Sequence, residues 1–390
     1  MDDETVKDAV VGPHRSVRFS AARLVLLAAL GLVIAALPTP AVATVGDHPD
    51  DTWQTDGPVW SIARAGSRIY LAGDFKTLTD GRGTTVARAG LAALDAGTGA
   101  PIRSWTPSAD DLVRAIEPSA DGTKIFIGGD FDRIDGRPRK HLAAIRASDG
   151  SLIDAWMPST SGGVNGIEVF GSTVYVGGNF GSVSGVDRER LAAITAGTGQ
   201  VIRRFDPRPG GSVRGLSMAP NGGTLYVAGD FSSFGGSSRR NAAAVHPETG
   251  ALRSWSPDPS YPLLGIAASR SRIYLAGAGP GGTLGAFEAL PGDDELWDVH
   301  ADGNMQAVGF LGPTVYAGGH FDSVEDAARR KVFAVSADAG SLRPWNPGAN
   351  SSVGVRSVVG YGNKVYIGGE FTMVDGRQRE GFAQFTDPRV

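Results

Sequence analysis

The sequence predicts an all-β fold, a seven-bladed β-propeller with four antiparallel strands per blade, and three observations carry that expectation. An aromatic inside an apolar run that ends in Gly-Asp-Phe is first met at Ile69-Tyr70-Leu71-Ala72-Gly73-Asp74-Phe75. It returns at 125–131, 174–180, 225–231, 315–321 and 365–371, and in altered form at 273–279. The steps between the aromatics Tyr70, Phe126, Tyr175, Tyr226, Tyr274, Tyr316 and Tyr366 are 56, 49, 51, 48, 42 and 50 residues. A period of that size marks an array of repeated supersecondary units. Within each unit, short runs rich in Val, Ile and aromatics alternate with Gly-containing turns, the pattern of strands joined by hairpins. Four such strands every 50 residues or so make one propeller blade.

The first 43 residues have a different character. Arg15, Arg18 and Arg23 lead into an uncharged stretch, Leu24 to Leu37, which closes on Pro38-Thr39-Pro40 and Ala41-Val42-Ala43. A basic start, an apolar middle and a small-residue end are the three parts of a secretory signal, and we place the cut after Ala43. The apolar stretch has 14 residues, short of the roughly 20 that a membrane-crossing helix needs. Export with release and no stable membrane insertion is therefore expected. The acidic Asp2, Asp3, Glu4 and Asp8 are unusual in such a leader and leave room for a downstream start.

The absence of Cys excludes disulfides and thiolate metal sites. A net charge of -4 without a Lys/Arg run gives no electrostatic case for nucleic acid. Residues 44–390 are read as one domain, with blades at about 59–105, 113–156, 164–205, 213–255, 263–297, 305–345 and 355–387 plus 52–55. A monomer is expected.

The units justify their parts in turn. Gly-Gly pairs such as Gly128-Gly129 and Gly318-Gly319 fall inside the second strand, where Gly marks close backbone approach. Trp105, Trp156, Phe205, Trp255, Trp297 and Trp345 stand at the end of the fourth strand, most with Pro two residues later, and fill the wedge between blades. The last unit has room for only three strands, ending at Gly381-Phe382-Ala383-Gln384-Phe385. Thr52-Trp53-Gln54 precedes Val59 much as Trp105 precedes Val113, so the N-terminal segment is expected to supply the missing outer strand and close the ring.

Positions that every unit shares are expected to be scaffold. The residue after the Gly pair is Asp74, Asp130, Asn179, Asp230, Ala278, His320 and Glu370 in turn, and Arg88, Arg139, Arg188, Arg239, Arg330 or Arg379 precedes the third strand. We expect a contact between the two within each blade. Metal-binding carboxylates would instead have to converge.

Two places stand apart from the repeat. In the first-strand motif Val-x-small-aliphatic, x is Trp60, Arg114, Asn165, Arg214, Leu264, Gln306 and Arg356. These residues would line a central channel, where Arg114, Asn165, Arg214, Gln306 and Arg356 could hold an anion or a sugar by charge-assisted hydrogen bonds. A solvated polar lining is the plainer reading. Blade five has a shortened loop, Gly277 to Leu284, which should leave a notch ringed by Asp258, Tyr261, His300, Asp302 and His320. Two His and an Asp could bind zinc, but the spacing is no ligand signature, so no metal and no cofactor are assigned. No catalytic motif is present among the five His of residues 44–390 and their neighbours.

Tyr175-Val-Gly-Gly-Asn-Phe180, then Val-Ser-Gly, an Arg, Leu-Ala-Ala-Ile, Thr-Gly and an aromatic-x-Pro at 175–207, resembles the delta-60 repeat family of bacterial secreted β-propellers. The resemblance covers about residues 52–387 and implies a propeller in an extracytoplasmic setting. It transfers no catalytic residue. The expected function is a binding or interaction module for protein or glycan, with no catalysis of its own. The alternative is an extracellular carbohydrate-active hydrolase or lyase with its site at the channel mouth. Third comes a quinoprotein-like dehydrogenase, suggested by Ala93-Leu94-Asp95-Ala96-Gly97-Thr98-Gly99 with Trp105 downstream.

Overall fold

Alternating strands and Gly turns give, in the computed structural model, strands and no helix over the described residues, 45–388 except 280. The leader assigned to 1–43 lies outside them. Seven main antiparallel sheets follow one another, with first strands Val59–Ala65, Val113–Pro118, Val164–Phe170, Ser212–Met218, Leu263–Ala268, Met305–Leu311 and Val355–Tyr361. Each first strand packs on the next, and Val59–Ala65 packs on both Val113–Pro118 and Val355–Tyr361.

The fourth strand is the main departure from expectation. Only the fifth sheet has one, Glu295–His300. In five others the chain makes a single bridge to the third strand, as Leu94 does with Pro101 and Ile145 with Leu152, and turns away. In four of the five it then bridges to the ribbon beside the next sheet, as Ala109 does to Ile134 and Thr160 to Val183. The target is a two-residue ribbon, such as Arg133–Ile134 with Arg137–Pro138, where the sequence reading had only a loop. The turn follows from the sequence. Trp105, Trp156, Phe205, Trp255 and Trp345 bury their rings after the bridge, where the backbone leaves the ladder, whereas the half-buried Trp297 stays within the fifth sheet's fourth strand.

Those rings join neighbouring sheets. Trp105 meets Tyr70 of its own sheet edge-on at 5.3 Å, and its indole nitrogen donates to the Arg146 carbonyl of the next at 3.1 Å. Trp156, Trp255 and Trp297 repeat the bond to Thr195, Glu288 and Ala337. The Gly pairs serve two purposes. A Cβ on the first Gly would strike the next sheet, as Gly128 would Val164 and Gly177 would Val213. A Cβ on the second would strike its own first strand, Gly129 against the Leu112 carbonyl.

The seam between the last sheet and the first uses the same devices as an internal seam. Gly368 faces Val59 as Gly318 faces Val355. Ser357 Oγ accepts from Ile62 N as Ser61 Oγ accepts from Ile116 N, at 3.2 and 3.3 Å. Lys364 Nζ donates to the Ala96 carbonyl as Lys124 Nζ does to Ala196, at 2.9 and 3.1 Å. Along the outer side of the last sheet, Gly46 N donates to Thr386 O and Asp50 N to Gln384 O. The second bond matches Ile102 to Ala93, Ile153 to Ala144 and Ile202 to Ala193. These contacts fall at 46–50, earlier than the 52–55 expected. Gln54–Thr55 instead pairs with Thr77–Thr79, which pairs in turn with Thr85–Ala87 in a ribbon separate from the first main sheet. Trp53 is half-buried, and the ring stacked on Tyr366 is Phe382.

Candidate functional site

Every first strand breaks register with its second strand at one place: between Val59 and Ser61, Val113 and Ala115, Val164 and Gly166, Val213 and Gly215, Leu263 and Gly265, Met305 and Ala307, and Val355 and Ser357. The skipped residue is the variable one of the motif. A bulge frees one residue from the ladder and re-aims its side chain, and here seven bulges deliver Trp60, Arg114, Asn165, Arg214, Leu264, Gln306 and Arg356 to one cavity of about 310 Å³. The small residue that follows is explained by crowding. A Cβ on Gly166 would lie 3.2 Å from the Arg214 carbonyl, and one on Gly265 3.1 Å from that of Gln306.

The five polar candidates meet there but are not equally available. Asn165 Nδ2 donates to Val213 O and Gln306 Nε2 to Val353 O, at 2.9 and 3.0 Å, so both amide donors tie one sheet to the next. Arg114 donates from Nε and Nη2 to Asp130 Oδ2 at 3.0 and 2.5 Å. Arg114 and Arg356 both lie over the Trp60 ring, at 4.8 and 3.9 Å from its centroid. The Arg356 Nε is buried without a hydrogen-bond partner, and burial holds this guanidinium below its usual pKa. Arg214 is exposed.

Two functional-looking residues escaped the sequence reading. Glu117 lines the same cavity, and Glu168 holds the equivalent position on the adjacent strand; both are half-buried. Burial, and then the neighbouring Glu168, raise the Glu117 pKa well above the carboxylate range. Burial pushes Glu168 up to about 7, against a hydrogen bond from the Met218 backbone. The available signal was register: the same position elsewhere is Ala63, Ser217, Ala267, Gly309 and Val359.

The blade-five candidates do not form one site. Asp258 is paired with Arg240 at 2.8 Å. Tyr261 lies against Gly277, where a Cβ would be 2.3 Å from its ring, and so fills the expected notch. His300 pairs with Asp298 at 3.1 Å. Asp302 and His320 do share a shallow depression with Asn304 and Lys331. Asp302, however, is repeated scaffold. Its Oδ1 accepts from Asp322 N and Ser323 N, as Asp56 does from Lys76 and Thr77, and Asp110 from Asp132 and Arg133. Replacing Asp56, Asp110 or Asp302 by Ala is expected to cost the same stability in each case, about 1–2 kcal/mol, measured by urea unfolding. Among the described residues no three His, Asp or Glu side chains gather as metal ligands.

The expected Asp/Arg contact within each blade is also corrected. Asp130 pairs with Arg114, whereas Arg139 pairs with Asp154 at 3.0 Å. Arg88 donates to Ile102 O, Arg188 to Arg203 O, and Arg329, not Arg330, to Arg343 O. The arginine leaves its loop on the outer side of the sheet and holds the segment there, while Asp130 turns to Arg114 of the first strand. In the last sheet Arg379 holds the N-terminal segment, donating to Asp50 O and Asp51 Oδ1 at 3.1 and 3.0 Å.

Successive antiparallel sheets whose first strands surround one cavity define a β-propeller fold. No protein-family model matches the sequence, and no curated protein does. Among solved structures, the chain is similar to the WD40 β-propeller domain of Doa1, with a TM-score of 0.59, 11% identity, and 89% of this chain and 98% of that one covered. It is also similar to the computationally designed Ika8 protein, with a TM-score of 0.55, 12% identity, and 87% and 100% covered. At such identities the likeness is one of fold alone.

Proposed function

We propose that the chain is a secreted, seven-bladed propeller, closed by its own N-terminal segment, that binds a protein or glycan at the channel mouth without catalysis of its own. The ring reading is supported by the likeness of the last-to-first seam to the internal ones. Secretion rests on the three-part pattern of residues 1–43. A cut after Ala43 would leave Val45, which is buried, in place. The binding reading rests chiefly on the seven bulges, which hold the backbone constant while each presents a different side chain to one cavity. Membership of the delta-60 repeat family rests on the repeated motifs.

A glycan array and a pull-down from culture supernatant test the binding reading. Arg356→Ala is expected to lower retention of the captured ligand about tenfold, since a charge-assisted bond to a partly buried guanidinium contributes about 1.5–3 kcal/mol. Retention unchanged by Arg356→Ala and Arg214→Ala together would move the ligand elsewhere. One observation favours the hydrolase or lyase reading instead: Glu117 on the cavity wall with Glu168 beside it, two carboxyls poised to differ in protonation. Turnover on a polysaccharide panel that Glu117→Gln abolishes would replace binding by catalysis.

A further inference from the structure

We infer that the channel takes an oxyanion, and that Glu117 and Glu168 form a proton-operated gate on its binding. The inference rests on the channel mouth being the binding site. Its first support is the set of charges. Three of the residues lining the cavity are cations, Arg114, Arg214 and Arg356, and Glu117 is the one carboxylate among them. Two guanidiniums crowd one indole, Arg356 keeps a buried Nε without an acceptor, and like charges held together in this way are relieved by an anion between them.

The second support is the isolation of the glutamates from cations. On the strands packed against Glu117, Arg64 lies over Tyr361 and donates to Gly66 O, and Arg68 donates to the Ala147 and Ser148 carbonyls beside Tyr70. Lys124, on the second strand of the same sheet, is held by Ala196 O, and Arg114 of its own strand by Asp130. Glu168 faces Tyr175 on its partner strand and Glu117 on the preceding first strand, and accepts a hydrogen bond from the Met218 backbone on the next. Half-buried carboxyls without a close cation keep their protons.

Asp130 offsets Arg114 and Glu370 acts on Arg356, so with both glutamates protonated the lining keeps a net positive charge carried by Arg214 and Arg356, and with both ionised two negative charges offset it. Each carboxyl is neutral below its raised pKa and charged above it, so anion affinity falls as pH rises past about 7, where Glu168 ionises, and falls again where Glu117 does. A unit charge about 10 Å away at an effective dielectric of about 20 changes affinity on the order of tenfold.

Sulfate, which does not titrate in this range, is the first probe, followed by the Trp60 indole resonance from about pH 5.5 to about pH 8.5. Wild type is expected to lose about tenfold or more in affinity over that span. The Glu117→Gln/Glu168→Gln protein is expected to keep the low-pH affinity throughout. Galacturonate and N-acetylaspartate form the second arm, and the tighter of the two identifies a sugar acid or a peptide carboxylate as the source. Sulfate binding that is flat with pH overturns the gate and leaves the mouth reading intact. Absence of binding at every pH overturns both. Should the double variant fail to fold, carboxyl carbon resonances of wild type decide: glutamates that all titrate below about pH 5 contradict the gate.

Discussion

Removal of residues 44–57 is expected to cost on the order of 5 kcal/mol or more, and to leave a protein that melts about 10 °C lower or collects as aggregate. The segment is short, but the last sheet has no other outer cover. Val45 is buried with Trp345, Phe371 and Phe385, worth about 1.5–3 kcal/mol. The Trp345 indole donates to Gly46 O at 3.1 Å. Asp50 accepts from Gln384 Nε2 and Thr386 Oγ1 at 2.5 Å each, and Arg379, itself buried, loses both of its acceptors in the segment. Each buried donor left unpaired adds about 1–3 kcal/mol. Removing Arg389 and Val390 is expected to change stability by less than about 0.5 kcal/mol. Thermal melts of the two truncations check the contrast.

Trp156→Ala is the second large effect, about 3–5 kcal/mol. The ring is fully buried, packs on Phe126 at 5.0 Å, and bonds to Thr195 O at 3.0 Å. The third sheet shows how the site can be filled otherwise, because Phe205 sits against Tyr175 at 5.4 Å with no indole nitrogen. Trp156→Phe should therefore retain most of the packing and lose chiefly the hydrogen bond, about 1–2 kcal/mol. Denaturant midpoints of the two variants separate wedge from bond, and equal losses would mean that the ring is not what joins these sheets.

The repeat made the sheets legible, since an aromatic and a Gly pair recurring at one spacing need one backbone. The variable residues Trp60, Arg114 and Arg356 were legible too, through the small residue after each. What hides in a sequence is direction. Arg139 and Asp130 recur together, yet each touches a third element, because shared spacing does not establish contact. The fourth strands are missing where the aromatic ring is fully or almost fully buried, Phe205 included, and present where Trp297 is only half-buried, a competition between burial and pairing that strand propensity does not register. Glu117 and Glu168 stand out only by register, because the same position is apolar or small in the other sheets. Asp302 was singled out as local chemistry, although Asp56 and Asp110 repeat its role.

Amide hydrogen exchange of the N-terminal segment tests closure most directly. If residues 46–55 seal the last sheet to the first, the amides of Gly46, Asp50 and Thr55 will exchange as slowly as those of Ile102 and Ile153, and will become labile only together with Phe382–Thr386. Exchange of these three amides at the rate of an unstructured peptide, while Ile102 and Ile153 stay protected, would show an open ring.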